Sequence, residues 1–147
     1  MAEPGTAQRS GGRTIPTAAW EGLEACNRIY RDALRAYVEA MNRGDVDALV
    51  ALFAPDAVIE DPYGGTRHNI RGHAEIRAFY EFVVAKTRLE LVMVTGSGGN
   101  AAAMAIRAHV GEDRLENISV AQFDGEGRIT RYTTYWGPGD RHGPGAR

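Results

Sequence analysis

Four successive segments in the second half of the chain alternate apolar and polar residues with a period of two, and this pattern constrains the fold most. The segments are residues 88–95, 101–110, 115–123 and 128–136. The stretches between them, GSGGN, GED and DGEG, carry the Gly, Asn and Asp that tight hairpin turns need at positive φ. Strands joined by such short turns predict an antiparallel meander.

Helical periodicity precedes the meander. From residue 17 to residue 42, apolar and aromatic side chains recur every three or four positions, apart from one double step. Gly44 ends this helix and Asp45 can cap the next one, VDALVALF, which stops at Pro55. A strand, AVIED, follows, and a third helix is predicted over about residues 73–86.

Helices first and a meander second predict an α+β domain. We expect a cone-shaped barrel in which a curved antiparallel sheet wraps around three helices of the N-terminal half. A chain of 147 residues is long enough for one such core and too short to expect two. We assign the domain to residues 17–137, with a disordered N-terminal tail, 1–16, and a flexible C-terminal tail, 138–147, because both ends are rich in Gly, Pro and polar residues.

Charge and composition exclude several function classes. Seventeen basic and nineteen acidic residues give a formal net charge of -2, without the basic surface that nucleic acid or an anionic membrane requires. No apolar stretch approaches the roughly 20 residues of a membrane span, and the N-terminus lacks a signal-peptide centre, so we expect a cytoplasmic protein. The single cysteine excludes an internal disulfide, and the four histidines show no ligand spacing, so we expect no metal.

A carboxylate stands where the strand pattern calls for an apolar residue. In AVIED, Asp61 shares a strand face with Ile59. An ionised carboxylate in apolar surroundings needs a hydrogen-bonding partner or a change of protonation state, and such a setting suits a base that transfers protons. We expect the apolar wall around Asp61 to include Ile59, Phe53 and Trp136. The alternative is a loop aspartate that organises the turn before Pro62.

Polar side chains also interrupt the faces of the last two strands. Asn117 and Ser119 lie in the middle of one face of the third meander strand, and Tyr132, Thr134 and Trp136 share a face of the fourth. These faces either line the interior together with the strand carboxylate or are turned to solvent, as one side of an antiparallel sheet often is.

Two tyrosines and a glutamate complete the set of candidates. Tyr37 and Tyr80 lie on the apolar stripes of the first and third helices, so their hydroxyls can meet inside the cone. Ordinary core packing with an incidental hydrogen bond is the alternative. Glu90 alternates with Leu89 and Leu91, which favours exposure to solvent.

Three segments resemble a known family. They are YVEAMNRGDVDALVALFAPDAVIEDPYG, RGHAEIRAFYEFV and FDGEGRITRYTTYWG, which cover most of residues 30–137. They resemble the ketosteroid isomerase and SnoaL-like branch of the nuclear transport factor 2-like superfamily. The first is specific for the fold, since helix, Gly-Asp turn, short helix and EDP strand follow in that order. Activity within such a fold is a separate question.

The resemblance to ketosteroid isomerases implies roles for individual residues. Asp61 corresponds to the general base, Tyr37 to the donor to the substrate oxyanion and Tyr80 to the tyrosine that supports this donor. Trp136 corresponds to an aromatic residue near the mouth. Ser119 falls where these isomerases keep a protonated aspartic acid as second oxyanion donor, and a serine is the weaker acid.

The resemblance implies an enzyme that needs no cofactor and acts on a hydrophobic small molecule. The leading hypothesis is an isomerase of a hydrophobic ketone, a 3-oxo-Δ5-steroid or a polycyclic relative. The alternative is an epoxide hydrolase or cyclase of polyether polyketide biosynthesis, which resembles the chain in APDAVIEDPYG and YWG and pairs Asp61 with a glutamate at the position of Glu90. A further alternative is a non-catalytic small-molecule-binding module.

The outer face of the sheet predicts an oligomer. Residues such as Val92, Val94 and Ile118 would make the side away from the pocket partly apolar. A self-complementary apolar patch is typical of two-fold dimers, so we expect a homodimer.

Overall fold

The structure, a computed structural model, describes residues 8–10, 13–15, 17–65 and 69–146. Its helices are α1 (Thr17–Arg43), α2 (Val46–Ala51) and α3 (Gly72–Val84). Its strands are β1 (Gln8–Ser10), β2 (Arg13–Ile15), β3 (Phe53–Glu60), β4 (Ile70–Arg71), β5 (Thr87–Thr95), β6 (Ala101–Val110), β7 (Asp113–Phe123), β8 (Ile129–Tyr135) and β9 (Arg141–His142).

The predicted meander and the α+β class are confirmed. Strands β5, β6, β7 and β8 pair antiparallel in chain order. The sheet has the order β4-β3-β8-β7-β6-β5, with β9 added beside β7, and it curves around the helices without closing. One pairing differs from the expected antiparallel sheet, because β3 lies parallel to β8. A parallel pair needs a long crossover, and α3 with three strands of the meander provides it.

The junction between α1 and α2 forms as the sequence predicts. Gly44 adopts φ +69°, a left-handed conformation that glycine reaches without strain, and its N–H donates to the carbonyl of Met41. The Asp45 carboxylate then accepts a hydrogen bond of 3.0 Å from the Ala48 N–H at the start of α2. The turn leads into α2 and then into β3, and the candidate base, Asp61, directly follows β3.

The core lies between the helices and the concave face of the sheet. Its fully buried members come from both layers and include Leu34, Leu49, Ile59, Ile76, Met104 and Ile129. Asn27 of α1 holds the β5–β6 turn in place, since its side chain donates to the Ser97 carbonyl and accepts from the Ser97 N–H. A Cβ at Gly96 would overlap the Asn27 side-chain oxygen, so the turn can approach α1 only with glycine at that position.

A bulge in β5 changes which residues face outward. The pairing of β5 with β6 shifts between Leu91 and Met93, so both Val92 and Met93 are 56% exposed. After the shift, Val94 packs against the core. The expectation that Val94 lies on the outer face was therefore wrong, because an extra residue in one strand reverses the alternation beyond it.

The last described residues run back along the sheet. After a 3-10 turn, Pro138–Asp140, strand β9 pairs with β7. Asp113 accepts hydrogen bonds from Arg141 Nε at 2.8 Å and from the Gly145 N–H at 2.8 Å. A Cβ at Gly145 would overlap the Asp113 carboxylate. That residues 138–147 are flexible stays a prediction about their motion, although residues 138–146 follow this defined path.

The N-terminal prediction falls largely outside the described part of the chain. Residues 1–7, 11, 12 and 16 are not among the described residues, so the disordered tail over 1–16 stays a prediction. The described strands β1 and β2 pair with each other and with no other strand. Within the described ranges, no helix is both long and apolar enough to cross a bilayer.

Candidate active site

A cavity of about 130 Å³ lies between the helices and the inner face of the sheet. Its wall combines apolar side chains with a few polar ones, and the polar members are Tyr37, Asp61, Thr87, Asn117, Tyr132, Thr134 and Trp136. A vestibule of about 440 Å³ shares Asp61 and Trp136 with this cavity and adds Lys86 and Arg141. Asp61 therefore belongs to the walls of both spaces. Wider grooves on the outer sheet face and beside the β5–β6 turn offer no comparable buried acid among the described residues.

Asp61 is held by two donors on one oxygen. Its Oδ1 accepts a hydrogen bond of 2.5 Å from Thr134 Oγ1 and one of 2.8 Å from Trp136 Nε1. The parallel pairing of β3 and β8 places Glu60 opposite Thr133, so the residues that follow them, Asp61 and Thr134, also lie opposite each other. No donor among the described residues contacts Oδ2. The half-buried carboxylate thus has a fixed orientation and a second oxygen able to accept a proton.

Tyr37 and Tyr80 form the predicted pair of phenols. The Tyr80 hydroxyl donates to the Tyr37 hydroxyl at 2.9 Å, and both side chains are buried. Burial raises the pKa of the Tyr37 hydroxyl well above its ordinary value, and Tyr80 raises it further. Tyr37 therefore stays protonated at neutral pH. Because it accepts from Tyr80 and lines the cavity, its own proton is available to a ligand there.

Tyr132 and Thr134 also line the cavity, although no individual role was predicted for either from the sequence. Tyr132 is 2% exposed, and its ring stacks on that of Tyr37 with 4.9 Å between centroids. Thr134 supplies the shorter of the two hydrogen bonds to Asp61. Both lie on one face of β8, and the signal for them was the run of hydrogen-bonding side chains at alternate positions 132, 134 and 136.

Glu90 is not brought to Asp61. Its Oε2 lies 3.1 Å from Arg107 Nη1 and 3.4 Å from His109 Nε2, and 47% of its side chain is exposed. The hydrogen bond from Arg107 lowers the pKa of Glu90. Strand alternation explains this position, since Leu89 points into the cavity and the next residue must point away. The Asp61 and Glu90 pair of the epoxide hypothesis is therefore not assembled.

Two other candidates lie behind the cavity wall. Phe53 is buried, with its ring 6.0 Å from that of Tyr80 and 6.2 Å from that of Tyr132, and it does not line the cavity as expected. It packs against these two rings, and Ile59, which was also expected in the wall, is likewise fully buried and absent from the lining. Ser119 is fully buried, and its hydroxyl donates to Asn117 Oδ1 at 3.1 Å. Asn117 lines the cavity, whereas Ser119 does not.

The cavity offers acid-base chemistry through side chains. Asp61 is the only carboxylate in its described lining. Within the described part of the chain, no group of three or more His, Cys, Asp or Glu side chains could hold a metal ion. One proton acceptor thus faces protonated phenols across an apolar space, which suits the transfer of a proton within a molecule that develops negative charge on an oxygen.

Comparison with known proteins decides the family. Residues 34–132 match the SnoaL-like domain. The chain belongs to the SnoaL-like family. This SnoaL-like protein is 38% identical over 112 residues to the Steroid Delta-isomerase of Nocardioides simplex. The aligned region covers 74% of this chain and 89% of that relative. The predicted resemblance is thereby confirmed.

A solved structure supports the fold of this SnoaL-like protein. It is that of the epoxide hydrolase/cyclase-like enzyme SalBIII, described for pyran ring formation in the polyether salinomycin. The two structures are similar with a TM-score of 0.70 and 26% sequence identity, over 76% of this chain and 93% of the other. Both relatives are named as enzymes, and their two names correspond to the two enzymatic hypotheses drawn from the sequence.

Proposed function

We propose that this SnoaL-like protein is a cofactor-independent isomerase that moves a proton within a hydrophobic ketone, a 3-oxo-Δ5-steroid or a polycyclic relative. The observation that carries the proposal is the placement of Asp61, anchored through one oxygen, in the same apolar cavity as the protonated Tyr37. The 38% identity to the Steroid Delta-isomerase of Nocardioides simplex supports the same reaction.

Each residue then has a defined task. Asp61 removes a proton from the carbon next to the carbonyl and returns it further along the conjugated system. The electron pair of the broken C–H bond forms a C=C bond, and the π pair of the carbonyl moves onto its oxygen, where Tyr37 donates a hydrogen bond. Tyr80 orients Tyr37 through the 2.9 Å hydrogen bond between their hydroxyls. One well-placed donor of this kind contributes about 3 to 4 kcal/mol to the transition state.

The sizes of the two spaces constrain how a substrate binds. Pockets for drug-sized ligands measure roughly 300 to 1,000 Å³, so the inner cavity of about 130 Å³ accommodates only the reacting ring. The vestibule of about 440 Å³ takes the rest of a polycyclic molecule. Since Asp61 lines both spaces, the transferred proton belongs to a carbon near their boundary.

The test follows formation of a conjugated enone from a 3-oxo-Δ5-steroid by ultraviolet absorbance. Asp61→Asn should abolish turnover, because an amide does not accept the proton. Tyr37→Phe should slow turnover roughly 100-fold by removing an oxyanion donor. Glu90→Gln is the control and should retain wild-type turnover, since Glu90 faces away from the cavity. Wild-type protein that forms no enone from any such ketone would refute the proposal.

Epoxide opening is the second candidate, and the similarity to SalBIII is the observation that favours it. In this reaction Asp61 would act together with a second acid, and the glutamate expected for that task lies on the outer face of the sheet. An epoxide substrate assayed in parallel separates the two reactions. Epoxide opening that depends on Glu90, without enone formation, would replace the isomerase proposal. Ligand binding without either reaction would favour the non-catalytic module.

A further inference from the structure

The Tyr132 hydroxyl is a polar group that folding leaves without a partner. Its oxygen is buried and makes no hydrogen bond within the described residues, and the whole residue is only 2% exposed. A buried hydroxyl without a partner destabilises a fold relative to an apolar group of the same shape. Phenylalanine would fill the same space, so the hydroxyl serves no packing purpose.

The surroundings of this hydroxyl are those of a donor to a ligand. Tyr132 lines the cavity together with Tyr37, and their rings stack at an interplanar angle of 27°. Burial raises the pKa of Tyr132 well above its ordinary value, and Tyr37 raises it further, so the hydroxyl keeps its proton. A protonated phenol on the wall of an apolar cavity has a hydrogen bond to give.

The neighbouring serine does not have the same capacity. Ser119 is fully buried, its hydroxyl donates to Asn117 Oδ1 at 3.1 Å, and it does not line the cavity. Its one proton is therefore committed. Resemblance to ketosteroid isomerases placed the second oxyanion donor at this serine, whereas the hydroxyl without a partner among the described residues is that of Tyr132 on the adjacent strand β8.

We propose that the Tyr132 hydroxyl is a second catalytic hydrogen-bond donor, which acts beside Tyr37 on the substrate oxygen that gains negative charge. This inference rests on the proposed isomerase function and adds a residue to it. Two phenols share the developing charge, and Asp61 exchanges the proton on the carbon skeleton. The same pair would favour any ligand with an anionic oxygen on a flat apolar ring.

The first experiment compares Tyr132→Phe with the wild type in the steroid assay and in thermal unfolding. The substitution keeps the ring and removes the hydroxyl. We expect kcat to fall roughly 100-fold with little change in KM, while the Tm of the free protein stays equal or rises. Tyr30→Phe is the matched control, since Tyr30 stacks on Phe123 at 4.4 Å and is not part of the cavity lining. It should leave kcat at the wild-type value.

Two outcomes of this experiment would overturn the inference. If Tyr132→Phe retains wild-type kcat, the hydroxyl does not act on the transition state. If the variant loses Tm and activity together, the hydroxyl has a structural role instead. Either result, obtained with an active wild-type enzyme, would leave the proposed isomerase function in place.

A second experiment tests the donor without turnover. The probe is 4-nitrophenol, whose anion absorbs at a longer wavelength than the neutral form. It is bound to Asp61→Asn, where the carboxylate no longer repels the anion. Two donors should increase the ionised fraction of the bound probe, and adding Tyr132→Phe should lower the ratio of anion to neutral form roughly tenfold. A ratio that does not depend on Tyr132 would overturn the inference, and a clear dependence would support it even if no ketone were isomerised.

Discussion

Thr134 and Trp136 determine the orientation of the Asp61 carboxylate in the cavity. Both donate to Oδ1, so the carboxylate is fixed in rotation while Oδ2 is left to the cavity. A carboxylate with this orientation can take a proton at one point and return it at another without turning. The two donors therefore position the proposed base, and Thr134 contributes to both folding and function.

Thr134→Val tests the contribution of this hydrogen bond to stability. Valine has nearly the shape of threonine, so the substitution removes the hydroxyl and leaves Asp61 with one donor. The free energy of unfolding should fall by about 1.5 kcal/mol, the lower end of the range for a hydrogen bond to a charged group, because Asp61 is partly exposed. Chemical denaturation at pH 7 measures it, with Thr134→Ser as the control that keeps a hydroxyl. Equal stability of the valine variant and the wild type would contradict this account.

Strands β3 and β8 build the site as a pair. The pairing Ile59 with Tyr132 and Glu60 with Thr133 sets the register, so the residue after β3 reaches the inner face of β8 at Thr134. Thr134, on the inner face of β8, and Trp136, just after the strand, both donate to Asp61. An acid from one half of the chain thus meets its donors from the other.

The sequence predicts some of these elements better than others. Helix and strand periods are local, so the meander, the Asp45 cap and the buried pair of Tyr37 and Tyr80 follow from them. The bulge in β5 is not visible, because it arises from pairing between strands, and it turns Val94 inward. Glu90 lies on the outer face, as its alternation with Leu89 predicts, and the resemblance to epoxide hydrolases was the only ground for pairing it with Asp61.

The C-terminal segment provides a prediction at the scale of an element. Hydrogen bonds from the Gly145 N–H and from Arg141 lower the pKa of Asp113 in the folded protein. A carboxylate whose pKa is lower folded than unfolded stabilises the docked state above its unfolded pKa and loses this effect as the pH falls through the folded value. Docking of residues 138–146 should therefore weaken below about pH 4, the ordinary range of an aspartate.

Hydrogen exchange of residues 138–146 as a function of pH measures this docking. In the Asp113→Asn variant, the backbone amides of residues 138–146 should exchange rapidly at every pH, because asparagine cannot form the ion pair with Arg141. Asp140→Asn is a control in the same segment that leaves the Asp113 contacts intact. Protection in Asp113→Asn equal to that of the wild type at pH 7 would show that other contacts hold the segment.

At the scale of the whole molecule, a row of apolar side chains crosses the outer face of the sheet. Met93 pairs with Ala105, Ala105 with Ile118 and Ile118 with Tyr135, so a continuous row crosses four strands. Ile118 and Tyr135 are each 46% exposed. A row of this kind on a curved sheet is suited to pack against its own copy about a two-fold axis.

We therefore expect a homodimer at micromolar concentration. Ile118→Asp should shift sedimentation toward the monomer, because two carboxylates would be buried against each other near the axis. Ile29→Asp is the matched control, since Ile29 is 57% exposed on α1 and not on the sheet. A wild-type protein that sediments only as a monomer, or an equal effect of both substitutions, would contradict the use of this face.

The inner run of β8 has a consequence for how such a protein can diverge. Tyr132 and Thr134 in the strand and Trp136 directly after it occupy every second position, so one residue inserted or deleted upstream in β8 would turn all three to the opposite side of the sheet. The strand therefore tolerates amino-acid substitutions but not insertions or deletions. New substrates are reached by point substitutions at these positions, whereas length variation is confined to the turns. A library built to alter specificity should follow the same division.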